Sequence, residues 1–208
     1  MMEIKKLKKV NHFCNFYLPK KNVSHQMNIE EQKKILPTLS SELLNKLDNW
    51  EISYKSYSHQ PLMTVKESKV MQEKLFGLDK SNGHIKNLFL RDKRKNNILF
   101  VTHQDTLVDL KLLAETIEMD RLSFGSPERL MENLGVLPGA VSPFSMINGV
   151  KHDVKLFLDN NLKSFKKIFA HPLVNNQTIE ISLDQLELFF KKITATPKWI
   201  YLKKKINN

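Results

Sequence analysis

Residues 86–91 alternate in the pattern of a largely buried β-strand. Two leucines alternate with Phe89 and Arg91, and a period of two places successive side chains on opposite faces of a sheet. A polar turn over 92–97 and a second apolar run over 98–102 follow. This spacing predicts a β-hairpin.

The entrance of this strand carries Lys86 and Asn87. A cation at the mouth of an apolar strand costs free energy unless an anionic or hydrogen-bonding group meets it. A phosphate or the edge of a sugar would meet that need. The alternative is that the lysine side chain extends from the strand end into water.

The rest of the pattern predicts helices interleaved with strands. Thr64 and Glu67 form a capping box for a helix that ends at Gly77. Ser126 followed by Pro127 marks another helix start. Helices are predicted over 28–36, 41–50, 65–76, 108–118, 127–134 and 183–193. Further strands are predicted over 51–57, 121–124, 144–147, 154–158, 166–169, 178–181 and 199–202. This mixture predicts an α+β fold.

Three segments divide the chain. Residues 1–27 carry six lysines against one glutamate. We expect them to form a basic extension that is disordered or weakly helical, with organelle targeting as an alternative. Residues 28–202 are predicted to form a single folded domain, and 203–208 a basic tail.

Composition narrows the class of protein. Among 208 residues there are 33 Lys and Arg against 22 Asp and Glu, a formal net charge of +11. This balance favours a polyanionic partner such as nucleic acid, although a lysine-rich composition gives the same charge without one. With Cys14 as the one cysteine, no internal disulfide is possible, and we expect a reducing, cytoplasmic compartment. No apolar run approaches the roughly 20 residues of a membrane-spanning helix.

Several common catalytic signatures are absent from the sequence. It contains no Gly-x-Ser-x-Gly nucleophile elbow and no glycine-rich phosphate-binding loop. The seven histidines lack the spacing of metal ligands, so we predict no metal site and no cofactor. An enzyme built on this chain would act by binding its substrate and positioning a water molecule.

Four segments, in order along the chain, carry a resemblance to a known family. They are HQPLMTV over 59–65, KNLFLRD over 86–92, SPERL over 126–130 with LGVLPGAVSPF over 134–144, and HPLVNNQT over 171–178. Together they closely resemble the YbaK/ProX family of aminoacyl-tRNA editing domains, with the prolyl-tRNA-editing branch as the nearest match. The resemblance covers residues 50–202.

This resemblance implies a mixed, mainly antiparallel β-sheet flanked by helices, and an enzyme that hydrolyses the ester of mischarged transfer RNA. The prolyl branch removes alanine from proline transfer RNA, whereas the YbaK branch removes cysteine. A synthetase pocket for proline excludes a smaller amino acid poorly, since a missing methylene is worth only about 1–3 kcal/mol. A second pocket that admits alanine and excludes proline completes a double sieve.

The resemblance also implies roles for particular residues. Lys86 corresponds to a lysine that contacts the terminal adenosine of the transfer RNA. Gly139 belongs to the loop that lines the amino-acid pocket, and His171 corresponds to a histidine that orients substrate or water. Since the family relies on the ribose hydroxyl of its substrate, His171 is not assigned as a general base. The implied substrate-binding residues are Thr64, Asn87, Ser142, Pro143, Asn175 and Thr178.

Alternatives remain at the level of residues and of function. Thr64 could serve only as a helix cap, and Asn175 and Thr178 could only hydrogen-bond a turn. The competing function is a non-catalytic transfer-RNA-binding or synthetase-associated module, such as the N-terminal domain of a prolyl-tRNA synthetase. A membrane-surface protein that binds through residues 1–21 is a third possibility. The expected partners are proline transfer RNA and prolyl-tRNA synthetase. The sequence leaves open the oligomeric state and the choice between alanine and cysteine.

Overall fold

Helices and strands interleave along the chain. The computed structural model describes residues 35–61, 65–77, 79 and 81–202. The helices are α1 (Ser40–Asn49), α2 (Val65–Phe76), α3 (Leu110–Thr116), α4 (Pro127–Leu134), α5 (Met146–Gly149) and α6 (Leu183–Lys192). The strands are β1 (Tyr54–Ser58), β2 (Asn82–Arg91), β3 (Asn97–His103), β4 (Ser123–Phe124), β5 (Lys155–Asp159), β6 (Lys167–Ala170), β7 (Gln177–Ile181) and β8 (Lys198–Ile200). Short 3-10 turns cover Pro143–Ser145, Val150–His152 and Asn160–Ser164.

The eight described strands form one mixed sheet. Their order is β1-β7-β6-β2-β3-β5-β8, with β4 paired to the end of β2. The antiparallel pairs are β1–β7, β2–β3, β2–β4 and β6–β7. The parallel pairs are β2–β6, β3–β5 and β5–β8. The predicted α+β fold, a mixed and mainly antiparallel sheet flanked by helices, is confirmed.

Hydrophobic side chains pack on both faces of this sheet. Leu99 and Val101 of β3 belong to a large cluster that also includes buried residues of α1, α4 and α6. Ile98 and Phe100 belong to a small cluster on the other face, which α3 covers. Successive residues of β3 therefore belong alternately to the two clusters, because successive side chains of a strand point to opposite faces of the sheet.

Local capping signals explain where two of the helices begin. The Ser126 hydroxyl accepts a hydrogen bond from the backbone N of Arg129 at 3.3 Å, and Pro127 occupies the first turn of α4. The Ser182 hydroxyl likewise accepts a hydrogen bond from the backbone N of Gln185 at 3.3 Å at the start of α6. Both helices were predicted, α4 from Ser126 and Pro127 and α6 as a helix over 183–193, and both are confirmed.

The predicted strand over 144–147 is wrong. This segment forms a 3-10 turn followed by α5. The Ser142 hydroxyl accepts a hydrogen bond from the backbone N of Phe144 at 3.2 Å, which starts a helical turn. Phe144 and Met146 are both buried. Ser145 separates these two apolar residues in the sequence, and that alternation is typical of a strand, so the pattern favoured the wrong element.

Some predictions fall on residues that the structure does not describe. They concern the basic extension, residues 28–34, Thr64 and the basic tail. Within the described part of the chain, no helix has the length and apolar character needed to cross a membrane.

Candidate active site

A row of polar side chains crosses one face of the sheet. Tyr57 of β1 lies opposite Thr178 of β7. Lys86 of β2 lies opposite Thr102 of β3. The Thr102 hydroxyl donates a hydrogen bond to Asp159 of β5 at 2.5 Å.

The end of β6 fills the gap in this row between Thr178 and Lys86. The parallel register pairs His84 of β2 with Phe169 of β6. His171, two residues beyond Phe169, therefore leaves the strand beside Lys86. We call the following six side chains the polar row: Tyr57, Thr178, His171, Lys86, Thr102 and Asp159.

The polar row lies on the sheet face opposite the large cluster. Residues one position away from its members belong to that cluster, namely Val101, Leu158, Ala170 and Ile179. Thr102 and Asp159, at the end of the row near α3, are fully buried. The other four members are half-buried. The row therefore opens to solvent toward β1.

Lys86 is anchored within this row by a backbone carbonyl. Its half-buried ammonium donates to the carbonyl oxygen of Thr106, in the loop after β3. In the same loop, Asp105 pairs with Lys69 of α2 at 2.8 Å. The hydrogen bond from Lys69, with smaller contributions from the charges of His103 and Lys86, lowers the pKa of Asp105. The Lys86 charge is thus held at a fixed point where it can meet an anionic oxygen of a ligand.

Asn87 faces the opposite side of the sheet from Lys86. Ile85 and Phe89, its neighbours on the same face, pack in or against the large cluster. The Oδ1 atom of Asn87 is buried and has no hydrogen-bond partner among the described residues. A buried acceptor without a partner costs about 1–3 kcal/mol. A donor from a ligand would remove that cost.

His171 is held by the segment that leads into β7. Its Nδ1 lies 2.8 Å from the carbonyl oxygen of Gln177, and because a carbonyl only accepts, Nδ1 carries the proton. Burial lowers the pKa of His171, the bond to Gln177 opposes that effect, and a smaller electrostatic contribution from His59 adds to it. The ring is therefore neutral at neutral pH, and its Nε2 is a hydrogen-bond acceptor.

The loop that contains Gly139 approaches the loop that follows His171. Gly139 has a φ of +90°, a conformation that favours glycine. A Cβ atom built on Gly139 would lie 3.7 Å from Nδ2 of Asn175. Leu173, which is buried in the large cluster, anchors the second loop. The structure thus brings Gly139, Asn175 and His171 to the same end of β6.

Ser142 and Pro143 are buried in the segment that follows Gly139. The Ser142 hydroxyl accepts from Phe144 as described above, and its carbonyl accepts from the Ser145 hydroxyl at 2.5 Å. Pro143 begins the 3-10 turn. In the structure these two residues fix the course of the loop, and their role in substrate binding stays a prediction. Thr64 lies outside the described residues.

Sequence reasoning did not single out His59, Thr102 or Asp159. The ring centroid of His59 lies 6.1 Å from that of His171, and its Nε2 lies 2.9 Å from the Thr178 hydroxyl. Its position at the start of the first motif was the available signal. Thr102 and Asp159 end apolar runs, but only the strand order brings them together.

These groups define the chemistry that the site can perform. They comprise a fixed cation, a neutral imidazole acceptor and a hydroxyl group, which together can bind an anionic ligand and orient a water molecule. Across the described ranges, no group of three or more His, Cys, Asp or Glu side chains is arranged to hold a metal ion.

Known proteins resemble the chain across this region. A family model described as the aminoacyl-tRNA editing domain matches residues 59–189. The prolyl-tRNA editing protein ProX of Acetoanaerobium sticklandii is 35% identical over 161 residues, covering 77% of this chain and 95% of that protein. The prolyl-tRNA synthetase associated domain-containing protein 1 of Mus musculus is 29% identical over 164 residues, covering 76% and 94%.

A solved structure shares the fold. The crystal structure of a candidate trans-editing enzyme for prolyl tRNA synthetase matches with a TM-score of 0.58, covering 80% of this chain and 99% of that chain. The two sequences are 17% identical. At that identity the likeness concerns the architecture of the sheet and helices.

Proposed function

The chain belongs to the aminoacyl-tRNA editing domain family, and on that premise we propose that it hydrolyses the ester of alanine mischarged onto proline transfer RNA. The family match over 59–189 confirms the family that the sequence motifs predicted. As a member, the chain is an aminoacyl-tRNA deacylase, which uses water to cleave the ester between an amino acid and the ribose of transfer RNA. The choice of proline transfer RNA follows the similarity to ProX and to the synthetase-associated protein.

The observation that carries this function is the position of Lys86 beside His171 at the end of β6. The Lys86 ammonium, anchored on Thr106, suits a phosphate or ribose oxygen of the terminal adenosine. The neutral Nε2 of His171 suits a donor from water or from a ribose hydroxyl. Lys86 therefore holds the nucleotide, while its neighbour in the row, His171, orients the attacking group.

The proposed reaction is an ester hydrolysis in one substrate complex. The water oxygen forms a bond to the ester carbonyl carbon, and the bond from that carbon to the ribose oxygen breaks. The ribose oxygen takes up a proton from the water by way of the neighbouring ribose hydroxyl, and alanine and free transfer RNA leave. Lys86 and His171 act by positioning, which is the form of catalysis that depends on fixed geometry.

The loop from Gly139 to Pro143 is proposed to set the size of the amino acid that is accepted. Its φ of +90° at Gly139 carries the backbone toward Asn175, and the buried Ser142 and Pro143 hold it there. A rigid wall excludes a larger side chain more sharply than a mobile one, because it does not relax around the added atoms. We therefore place alanine ahead of cysteine, and both ahead of proline.

The experiment that tests this function compares proline transfer RNA charged with alanine, cysteine or proline. We expect the alanyl ester to be hydrolysed fastest and the prolyl ester no faster than in buffer. Faster hydrolysis of the cysteinyl ester would reassign the substrate. Binding of all three RNAs with hydrolysis of none would overturn the proposal and favour the non-catalytic module. Prolyl-tRNA synthetase is the proposed protein partner, and its addition to the same assay tests whether it changes the rate.

A further inference from the structure

His59 bridges the end of β1 to the start of β7. Its backbone N donates to the carbonyl oxygen of Asn176 at 2.9 Å. Its ring makes two further hydrogen bonds, from Nδ1 to the Gln60 carbonyl oxygen at 2.8 Å and between Nε2 and the Thr178 hydroxyl at 2.9 Å. The ring is half-buried. Both ring nitrogens are therefore engaged.

The chemistry of these partners fixes the direction of the bond to Thr178. The Gln60 carbonyl only accepts, so Nδ1 of His59 must donate to it. In the neutral ring, Nε2 then has no proton and accepts from the Thr178 hydroxyl. The Thr178 proton is thus turned toward His59. The lone pairs that remain on Oγ1 are left to accept a hydrogen bond from a ligand.

We infer that His59 is a positioning residue that makes the Thr178 hydroxyl an acceptor for the α-ammonium group of the aminoacyl ester. This inference rests on the deacylase function proposed above. Every aminoacyl ester that transfer RNA carries presents this group, and an ammonium has only donors to offer. A threonine hydroxyl free to rotate could instead present its proton and oppose binding. The bond to His59 removes that orientation.

Two members of the polar row then match the two ends of the substrate. Thr178 lies on β7 and Lys86 on β2, with β6 between them, so their backbones are about 10 Å apart at ordinary strand spacing. The cation at Lys86 suits the anionic nucleotide, and the acceptor at Thr178 suits the cationic amino acid. Glu180, two residues along the same face of β7, is already engaged by Lys167 and Tyr57 at 2.7 Å each. Thr178 is therefore a side-chain acceptor on this face of β7 that no described cation engages.

The test compares alanyl proline transfer RNA with its lactyl counterpart, in which a hydroxyl replaces the α-ammonium at nearly the same size. The readout is the ratio of kcat/KM for the alanyl ester to that for the lactyl ester. His59→Phe keeps an aromatic ring and removes both hydrogen bonds. We expect this variant and Thr178→Val each to lower the ratio about tenfold, the scale of one hydrogen bond to a charged group. The double variant should lower the ratio no further than either single variant.

Two conservative variants separate positioning from structural support. His59→Gln retains an acceptor for the Thr178 proton, and Thr178→Ser retains the hydroxyl, so both should keep a ratio close to that of the wild type. A role limited to tying β1 to β7 would lower both rates together and leave the ratio unchanged in every variant, which would overturn the inference. A wild-type protein that hydrolyses neither ester would instead overturn the proposed function. Thermal unfolding of each variant confirms that the compared proteins are folded.

Discussion

Lys86 and Asn87 are consecutive in β2, and their side chains lie on opposite faces of the sheet. Along the edge of β2 that faces β6, pairing covers only residues 82–84, and β4 pairs only with residues 90–91. On that edge the stretch between these pairings has no described strand beside it, whereas β3 pairs with the same stretch along the other edge. The Lys86 side chain therefore lies in the polar row, whereas the Asn87 side chain lies on the face of the large cluster, beside this gap.

Asn87→Leu tests the role of the buried amide. Because the Oδ1 atom has no described partner, its removal should leave the free energy of unfolding unchanged or raise it by about 1 kcal/mol. The rate of deacylation should fall, since a substrate donor would lose its acceptor. Denaturant unfolding and the alanyl ester assay measure the two effects.

Asn133→Leu provides the matched control for that variant. The Asn133 amide is buried and paired at both ends, with Asn97 at 2.7 Å and with the Arg129 carbonyl at 2.8 Å. This change should lower the free energy of unfolding by about 1–3 kcal/mol and leave the rate unchanged. If Asn87→Leu behaved like this control, the Asn87 amide would be structural.

Gly139→Ala tests the loop that bounds the amino-acid pocket. At a φ of +90°, an alanine strains the backbone by about 1–3 kcal/mol. Its Cβ would lie 3.7 Å from Asn175, an ordinary contact, so no clash adds to that strain.

Gly77 is a matched control, because it has a φ of +68° and open space around its added Cβ. Both variants should lose similar stability, and only Gly139→Ala should lower kcat/KM for the alanyl ester. Equal values of kcat/KM for the alanyl ester in the two variants would show that this loop does not belong to the site.

His84→Phe tests whether His84 makes the protein less stable as the pH falls below 6.5. Burial, aided by the charge of His103, lowers the pKa of His84 from 6.5 to about 4. Between these values the unfolded chain binds a proton that the folded chain resists, so stability falls as the pH drops from 6.5 toward 4. This difference in pKa corresponds to a loss of stability on the order of 2 kcal/mol, a figure that is reduced because the ring is partly solvated.

Phenylalanine keeps the ring that stacks on Phe169, where the centroids of His84 and Phe169 lie 4.6 Å apart. The wild type should therefore lose stability relative to His84→Phe as the pH falls from 6.5 to 4. Urea titrations at several pH values measure this difference in the free energy of unfolding. The exposed His152 supplies the control, since His152→Gln should leave the wild-type pH dependence in place. Parallel curves for wild type and His84→Phe would show that His84 does not titrate in this range.

The parts of the fold that sequence predicted are those with local signals. Ser126 and Pro127 mark the start of α4 without reference to the rest of the chain. The polar turn over 92–97 likewise indicated a hairpin without reference to the rest of the chain. The error at 144–147 arose because Ser145 separates the apolar residues Phe144 and Met146, an alternation that is typical of a strand, whereas the structure buries all three side chains in a helical turn.

The site depends on contacts that sequence patterns do not contain. His171 lies beside Lys86 only because β6 pairs with β2 in parallel, through His84 and Phe169, which lie 85 positions apart in the numbering. The family resemblance supplied Lys86, Gly139 and His171 as candidates, but not the face on which each lies. His59 was missed because its role depends on a hydrogen bond across strands to Thr178.

The most direct test of the polar row is the rate at which Lys86→Ala hydrolyses alanyl proline transfer RNA, measured beside the wild type and beside Lys93→Ala. Lys93 is exposed in the turn between β2 and β3 and controls for the loss of a positive charge. Loss of a charge-assisted contact should lower the rate of Lys86→Ala about tenfold to a hundredfold, with the thermal unfolding midpoint within a few degrees of the wild type. Lys93→Ala should hydrolyse the ester at the wild-type rate. A folded Lys86→Ala protein that matched the wild-type rate would contradict the assignment of this row as the site of deacylation.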